Sequence, residues 1–258
     1  MQRYGLIGFP LSHSFSAGFF AEKFKNENIN DVIYENFSID SIEKIEEIIA
    51  KYPDLQGLNV TIPYKELIIP YLDELDKTAM EVEAVNTIKF IRNEGEKTRL
   101  KGYNTDVYGV KGALEPYISC HHKRALILGT GGASKAVSYI FHKLNVTCDL
   151  VSRRKAENIF KTYDELTAED IADYQIIINT TPLGMYPNID ALPDIPYDGI
   201  NKNHILFDVI YNPEETKFLA KGKAMGATTI NGLAMLKFQA EKSWKIWNEI
   251  PILDLDKF

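Results

Sequence analysis

Apolar residues fall in short runs separated by amphipathic stretches, and the period of each run predicts its element. RYGLIGF, from Arg3, reads as a strand, the segment from about Ser16 to Asn28 as a helix, and VIYENFSI as a second strand. In SIEKIEEIIAKY, residues Ile42, Ile45, Ile48 and Ile49 recur at the spacing of one helical face, and LQGLNVTI then reads as a third strand. The chain thus opens βαβαβ. A helical stretch ending near Glu83 follows, and then AVNTIKFI and KTRLKGYN form a hairpin pattern around Asn93, Glu94 and Gly95.

A second series opens at Arg124. RALILG, TCDLVS, QIIINTT, HILFDVIY and a short ATTIN are strand-like, and KAVSYIFHKLN is a helix after the first of them. Near-continuous apolar strands alternating with helices are the pattern of a parallel sheet buried on both faces. A helix from Thr105 to Tyr117 is expected to link the two series. The closing stretch LAMLKFQAEKSWKIWNEI repeats Leu233, Leu236, Ala240, Trp244 and Trp247 at helical spacing. No repeat or low-complexity segment interrupts this order.

Composition narrows the function. The 258 residues suffice for two domains, and 45% hydrophobic with 25% charged residues matches an ordinary globular protein. No apolar run approaches the roughly 20 residues of a membrane span. A net charge of −7 disfavours a phosphate backbone as partner, so nucleic acid is not expected. Cys120 and Cys148 are too few for a disulfide framework, and the N-terminal MQRYGLIGFP lacks a basic leader with a long apolar core. A reduced, cytoplasmic setting is expected. Cys148 reads as a small buried hydrophobe.

Four segments carry chemistry. LGTGGAS places Gly129, Gly131 and Gly132 between a strand and a helix, where a tight turn lets a pyrophosphate approach the positive helix N-terminus. Its third fingerprint position is Ser134, small enough for close packing and able to cap. The next strand ends in Ser152, Arg153 and Arg154, with Arg153 standing 24 residues past Gly129, where an NAD site would carry an acid. Two guanidiniums suit a 2′-phosphate and point to NADP, the plainer alternative being an exposed basic turn. NVTIPYK places Thr61 and Lys65 at and beyond a strand end, and GYNTDVYG places Asn104, Thr105 and Asp106 ahead of a helix. By themselves Lys65 reads as a solvated lysine and Asp106 as an N-cap. Histidines 13, 121, 122, 142 and 204 show no metal-ligand spacing, so no metal is expected, and His121–His122 reads as a solvated loop.

Taken in order, GFPLSHSFS, NVTIPYK, AVNT, GYNTDVYG, LGTGGAS, INTTPLGM, DVIYNPEET and NGLAMLKFQA resemble the shikimate/quinate dehydrogenase family, from residue 8 to residue 240. The resemblance implies an α/β protein of two domains. Residues 1–103, completed by C-terminal helices 233–258, would bind substrate, and 104–232 would form an NADP-binding Rossmann domain. It implies reversible reduction of 3-dehydroshikimate to shikimate, with Lys65 moving the proton and Asp106 acting beside it. Ser14 and Ser16 match the two serines that hold the substrate carboxylate. Thr61, Asn86, Asp106 and Gln239 match positions on the ring hydroxyls, while Tyr211 and Gly232 match positions near substrate and nicotinamide. Gly129, Thr130, Gly131, Gly132 and Ala133 match the pyrophosphate turn, and Ser152, Arg153 and Arg154 the 2′-phosphate site. Asn179, Thr180, Thr181 and Met185 match the loop lining the cofactor.

Two departures stand out. Ala17, Gly18, Phe19 and Phe20 follow the second serine where the family has proline and, a few residues on, histidine. Ser152, Arg153 and Arg154 stand where it often has Asn-Arg-Thr. Preference for shikimate over quinate is expected from Ser14 and Ser16, with a monomer or homodimer as the working form. The rivals are a quinate-preferring or NAD-using relative and a catalytically silent nucleotide sensor on the same fold; retention of Lys65 and Asp106 argues against the sensor.

Overall fold

A computed structural model describes residues 1–11 and 15–250. The described residues divide into two compact units, Met1–Thr105 with residues 239–250, and Asp106–Phe238. The divisions fall two and six residues later than 103/104 and 232/233.

In the first unit, strand β1 (Gln2–Gly8) leads to helix α1 (Phe15–Asn26), strand β2 (Val32–Ser38), a 3₁₀ turn at Ile42–Lys44, helix α2 (Ile45–Lys51) and strand β3 (Leu55–Val60). Strand β4 (Glu74–Leu75), helix α3 (Lys77–Val82) and the antiparallel pair β5 (Thr87–Ile91) and β6 (Arg99–Tyr103) complete it. The helical stretch expected before Glu83 is broken into a 3₁₀ turn at Ile69–Tyr71, β4 and the six-residue α3. Pro70 has no amide hydrogen to continue a helix, and Asp76 starts α3 anew by accepting the Ala79 amide at 2.7 Å.

The sheet runs β2-β1-β3-β5-β6-β4, parallel through β2, β1 and β3 and antiparallel at β3/β5 and β5/β6. This mixture has a consequence for function. Asn59 at the end of β3 pairs with Thr87 at the start of β5, which pairs with Tyr103 at the end of β6. The outgoing ends of β1, β3 and β6 and the incoming end of β5 therefore share one edge.

Both faces of this sheet are covered. Ile42, Ile45 and Ile48 pack with Leu55, Leu58 and Ile88 on one side. On the other, Tyr4, Phe20, Phe24, Tyr34, Trp244 and Trp247 form an aromatic core. Phe20 stacks on Tyr34 at 4.4 Å, and Tyr4 meets Trp244 at 5.3 Å. Each such fully buried apolar side chain contributes about 1.5–3 kcal/mol by transfer from water, so this core anchors the C-terminal helix firmly.

The second unit comprises α4 (Asp106–Leu114), β7 (Arg124–Leu128), α5 (Gly132–Lys143), β8 (Thr147–Ser152), β9 (Lys161–Thr162), α6 (Ala168–Ala172), β10 (Ile176–Asn179), β11 (Ile205–Asp208), α7 (Lys217–Ala224) and β12 (Thr228–Ile230). Helix α8 (Leu233–Trp247) begins in this unit and ends in the other. α4 stops at Leu114 instead of Tyr117, because Pro116 disfavours a helical conformation at Glu115. The short β4, β9 and α6 offer too few residues for a periodic signal.

Its sheet, β12-β11-β10-β7-β8-β9, is parallel throughout. Counted along the chain this is the 3-2-1-4-5-6 order of a doubly wound dinucleotide fold, whose switch point lies between β7 and β10. Ligands bind such sheets at that crevice. Among the described residues no helix is long and apolar enough to cross a membrane.

Candidate active site

In the first unit the backbone fixes the site segments before any side chain does. Thr61 N–H donates to Ile7 O at 2.9 Å, Tyr64 N–H to Thr61 O at 2.9 Å, and Val85 N–H to Lys65 O at 2.7 Å. The NVTIPYK turn is thereby clamped to the end of β1 and to the AVN segment. Tyr64 anchors the turn by donating its hydroxyl to Ile39 O at 2.6 Å. Thr61 and Lys65 are half-buried.

Asn86 is 3% exposed and held from three sides. Its N–H donates to Tyr103 O, its carbonyl accepts Val60 N–H at 2.8 Å, and its Oδ1 accepts Thr105 N–H at 2.6 Å. Its Nδ2 faces Gln239 Oε1 at 3.4 Å. The structure thus brings Asn86 and Gln239 together. Ser16 is buried beside the Tyr34 phenol, a hydrogen-bond partner, and Tyr34 donates to Asn59 Oδ1 at 2.9 Å. Complete burial raises the phenol's pKa, so Tyr34 stays neutral. Ser14 lies outside the described residues.

Asp106, first residue of α4, is 4% exposed, and the same turn carries Asn104, whose Nδ2 donates to Ala84 O at 2.9 Å.

In the second unit the turn after β7 fits a dinucleotide. Gly129 has φ +108°, and a Cβ there would meet Thr180 Oγ1 at 2.8 Å, so the fold itself requires glycine. Gly131 is different. A Cβ at Gly131 meets nothing within 4 Å, leaving the approach to the α5 amides open, and among the described residues no side chain caps that helix. An open, uncapped N-terminus at the switch point is what a pyrophosphate needs. Ser134 does not cap: its Oγ donates to Gly131 O at 2.6 Å. Its small size instead permits 2% exposure against the sheet. Thr130 is exposed, and Gly132 and Ala133 are half-buried.

At the end of β8, Ser152 is half-buried, and Arg153 and Arg154 are exposed. At the end of β10, Asn179 is fully buried, and its amide is engaged within the protein. Oδ1 accepts Thr181 N–H at 3.0 Å and Thr181 Oγ1 at 2.6 Å, and Nδ2 donates to Leu183 O and Asp208 Oδ1. Asn179 thereby shapes the loop that carries half-buried Thr180 and Thr181 and exposed Met185. Tyr211 is half-buried. A Cβ at Gly232 would lie 2.0 Å from Val209 O, so its place is a close backbone crossing.

The sequence pattern did not single out Tyr34, Asn59, Thr87, Ser243 or Asp208. A signal existed for two of them, since Asn59 and Asp208 interrupt otherwise apolar strands. Asp208 is fully buried, and desolvation raises its carboxyl to about 6 against hydrogen bonds from Thr216, Ile210 N–H and Asn179. Cys148 is half-buried with its thiol pushed up to about 12, unsuited to nucleophilic work. Among the described residues no His, Cys, Asp and Glu cluster could hold a metal.

Residues 6–88 match a family model described as the shikimate dehydrogenase substrate binding domain. A shikimate dehydrogenase (NADP(+)) of Methanosphaera stadtmanae is 40% identical over 261 residues, covering 94% of this chain and 90% of that protein. Shikimate dehydrogenase 1 of Peptoclostridium difficile superposes with a TM-score of 0.84 at 40% identity, over 99% of this chain and 94% of the other. A shikimate 5-dehydrogenase of Thermus thermophilus, solved with NADP(H) and shikimate, gives 0.83 at 26% identity, over 97% and 94%.

Proposed function

The chain belongs to the shikimate dehydrogenase family, and from that premise we propose how its own residues carry the reaction. It is an NADP-dependent oxidoreductase acting on a CH–OH group, reversibly reducing 3-dehydroshikimate to shikimate in aromatic amino-acid biosynthesis. When bound, NADPH supplies the hydride that reduces the C3 ketone. Lys65 supplies the proton to the C3 oxygen, since an ammonium both donates and stabilises the developing alkoxide. Asp106 accepts a hydrogen bond from a substrate hydroxyl.

Ser14 and Ser16 hold the carboxylate, and Thr61, Asn86 and Gln239 bind ring hydroxyls, with Tyr211 and Gly232 beside the reacting groups. The turn Gly129–Ala133 receives the pyrophosphate, Ser152, Arg153 and Arg154 the 2′-phosphate, and the loop of Asn179, Thr180, Thr181 and Met185 lines the cofactor. The setting is cytoplasmic, and the working form a monomer or homodimer.

One observation carries this reading. Asn86 and Gln239, buried and uncharged, meet beside the clamped Lys65 turn and are seated on the neutral side chains of Asn59, Thr87 and Thr105. Neutral donors and acceptors of that density suit a polyol. The near-full-length likeness to NADP-dependent shikimate dehydrogenases supports it. The test is a nicotinamide absorbance assay crossing shikimate and quinate with NADP+ and NAD+, in which the shikimate and NADP+ pair should be turned over fastest. Lys65→Ala should then lower kcat by roughly 10²–10⁴ with KM little changed. Undiminished turnover would assign Lys65 to the surface.

A further inference from the structure

Beneath the two site amides lies a knot of hydroxyls that the reaction itself does not use. Gln239, Ser243 and Trp247 recur every four residues along α8 and so share one face. Trp247 fixes that face on the sheet by donating Nε1–H to Ile88 O at 2.9 Å. Ser243, fully buried, is thereby set against the crossing of β3 and β5. Its Oγ lies 2.8 Å from Thr87 Oγ1, 3.1 Å from Thr105 Oγ1 and 2.9 Å from Asn59 Nδ2.

The direction of each hydrogen bond follows from groups that can only donate or only accept. Thr105 N–H can only donate, so the Asn86 atom 2.6 Å away is Oδ1 and the Nδ2 end is the one turned to Gln239. Gln239 must therefore present Oε1 to Asn86, which orients its own amide. On the far side, Asn86 O can only accept, so the Asn59 atom at 3.2 Å is Nδ2, leaving Oδ1 for the Tyr34 hydroxyl. Ser243 has one proton, donated to Gln239 O at 3.0 Å. Its oxygen is thus an acceptor toward the strands, facing Asn59 Nδ2 and the Thr87 hydroxyl.

We infer that Ser243 and Thr87 are positioning residues that hold the Asn86 and Gln239 amides in the one orientation the backbone dictates. The inference rests on the proposal that these two amides bind substrate hydroxyls. With Ser243 accepting its proton, Thr87 does not compete for Asn86 Oδ1, which lies 3.2 Å from it, and that oxygen stays with the Thr105 amide and hydroxyl. Without the Ser243 oxygen, the Thr87 proton must turn to Asn86 Oδ1 or Thr105 Oγ1, which crowds a third donor onto Oδ1 or disturbs the Thr105 hydroxyl, and the Asn86 amide is drawn off its alignment with Gln239. A substrate hydroxyl would then meet amides of unchanged sense but displaced from the alignment it needs.

Ser243→Ala should raise KM for shikimate roughly tenfold, the usual effect of stranding a buried hydroxyl. Its kcat should stay within about twofold and its KM for NADP+ should not change, because the perturbation is confined to substrate binding. Thr87→Val, which keeps the shape and removes the hydroxyl, should do the same, and Thr87→Ser should restore normal values. The Ser243→Ala/Thr87→Val pair should fall short of multiplicative, since both act through one network. Side-chain amide NMR gives a readout without turnover: sharp, slowly exchanging Asn86 and Gln239 signals in the parent should broaden in Ser243→Ala. Lowered thermal stability with unchanged shikimate KM and unchanged amide signals would assign the knot to folding and overturn the inference. Absence of shikimate turnover by the parent protein would instead remove the functional reading, and the amide signals would then decide the orientation alone.

Discussion

Asp208→Asn isolates a buried charge whose cost can be worked from its surroundings. The carboxyl sits at the end of β11 with no exposed surface. Oδ1 accepts from Asn179 Nδ2 at 3.1 Å and Ile210 N–H at 3.0 Å, and Oδ2 accepts the Thr216 hydroxyl at 2.6 Å. Desolvation outweighs these three bonds and lifts the pKa from 3.8 to about 6. The folded chain therefore keeps a proton that the unfolded chain has released between those values. Stability from this group is full below about pH 4 and is lost as pH rises through 6, by roughly 3 kcal/mol for a shift of about two units.

Asparagine keeps the shape and can preserve all three partners, since Thr216 Oγ1 can turn to accept from the new amide. Stability of the variant minus that of the parent should thus climb by about 3 kcal/mol from pH 4 to 7 and then level off. The assay is urea unfolding followed by circular dichroism. Trp244 and Trp247 both belong to the other unit, so tryptophan fluorescence serves as the internal control. A difference that stays constant from pH 4 to 7 would refute the reasoning, because the carboxyl would then titrate alike folded and unfolded.

Gly131→Ala should leave stability unchanged and raise the NADP+ KM roughly tenfold by obstructing hydrogen bonds to a charged group, whereas Gly129→Ala should destabilise by about 1–2 kcal/mol through its positive φ; thermal melts and steady-state kinetics separate the two. Removing Arg153 and Arg154 together should raise KM for NADP+ by roughly 10–100-fold and leave that for NAD+ nearly unchanged, as only the former carries a 2′-phosphate. Quinate should be disfavoured against shikimate by roughly 5–150-fold in kcat/KM, the penalty expected where the carboxylate grip proposed for Ser14 and Ser16 offers no partner to its extra hydroxyl, and near-equal specificity constants would count against that grip.

Much of this was legible in the chain itself. The two βα series, the glycine turn after RALILG, the paired arginines after TCDLVS and the hairpin around Gly95 are all local, set by side-chain period and turn chemistry within a few residues. The Lys65 and Asp106 positions could be read only through the order of eight motifs, since a lysine after a strand or an aspartate before a helix carries no chemistry alone. Ser134 shows the limit of local reading: a small hydroxyl at a helix start satisfies a cap pattern, yet here it donates to Gly131 O instead.

What tertiary structure decided is how distant segments meet. Helical spacing shows that Gln239, Ser243 and Trp247 share a face, but not that the face rests on the crossing of β3 and β5. Nor does the sequence reveal that the Asn179 side chain braces its own loop. The antiparallel insertion of β5 brings Asn86 and Thr87 to the edge where β3 and β6 end, and that register is fixed by hydrogen bonds between residues far apart along the chain. A residue's type sets what it can donate or accept; only the packed backbone around Thr105, Gln239 and Asn59 decides which of those bonds it makes.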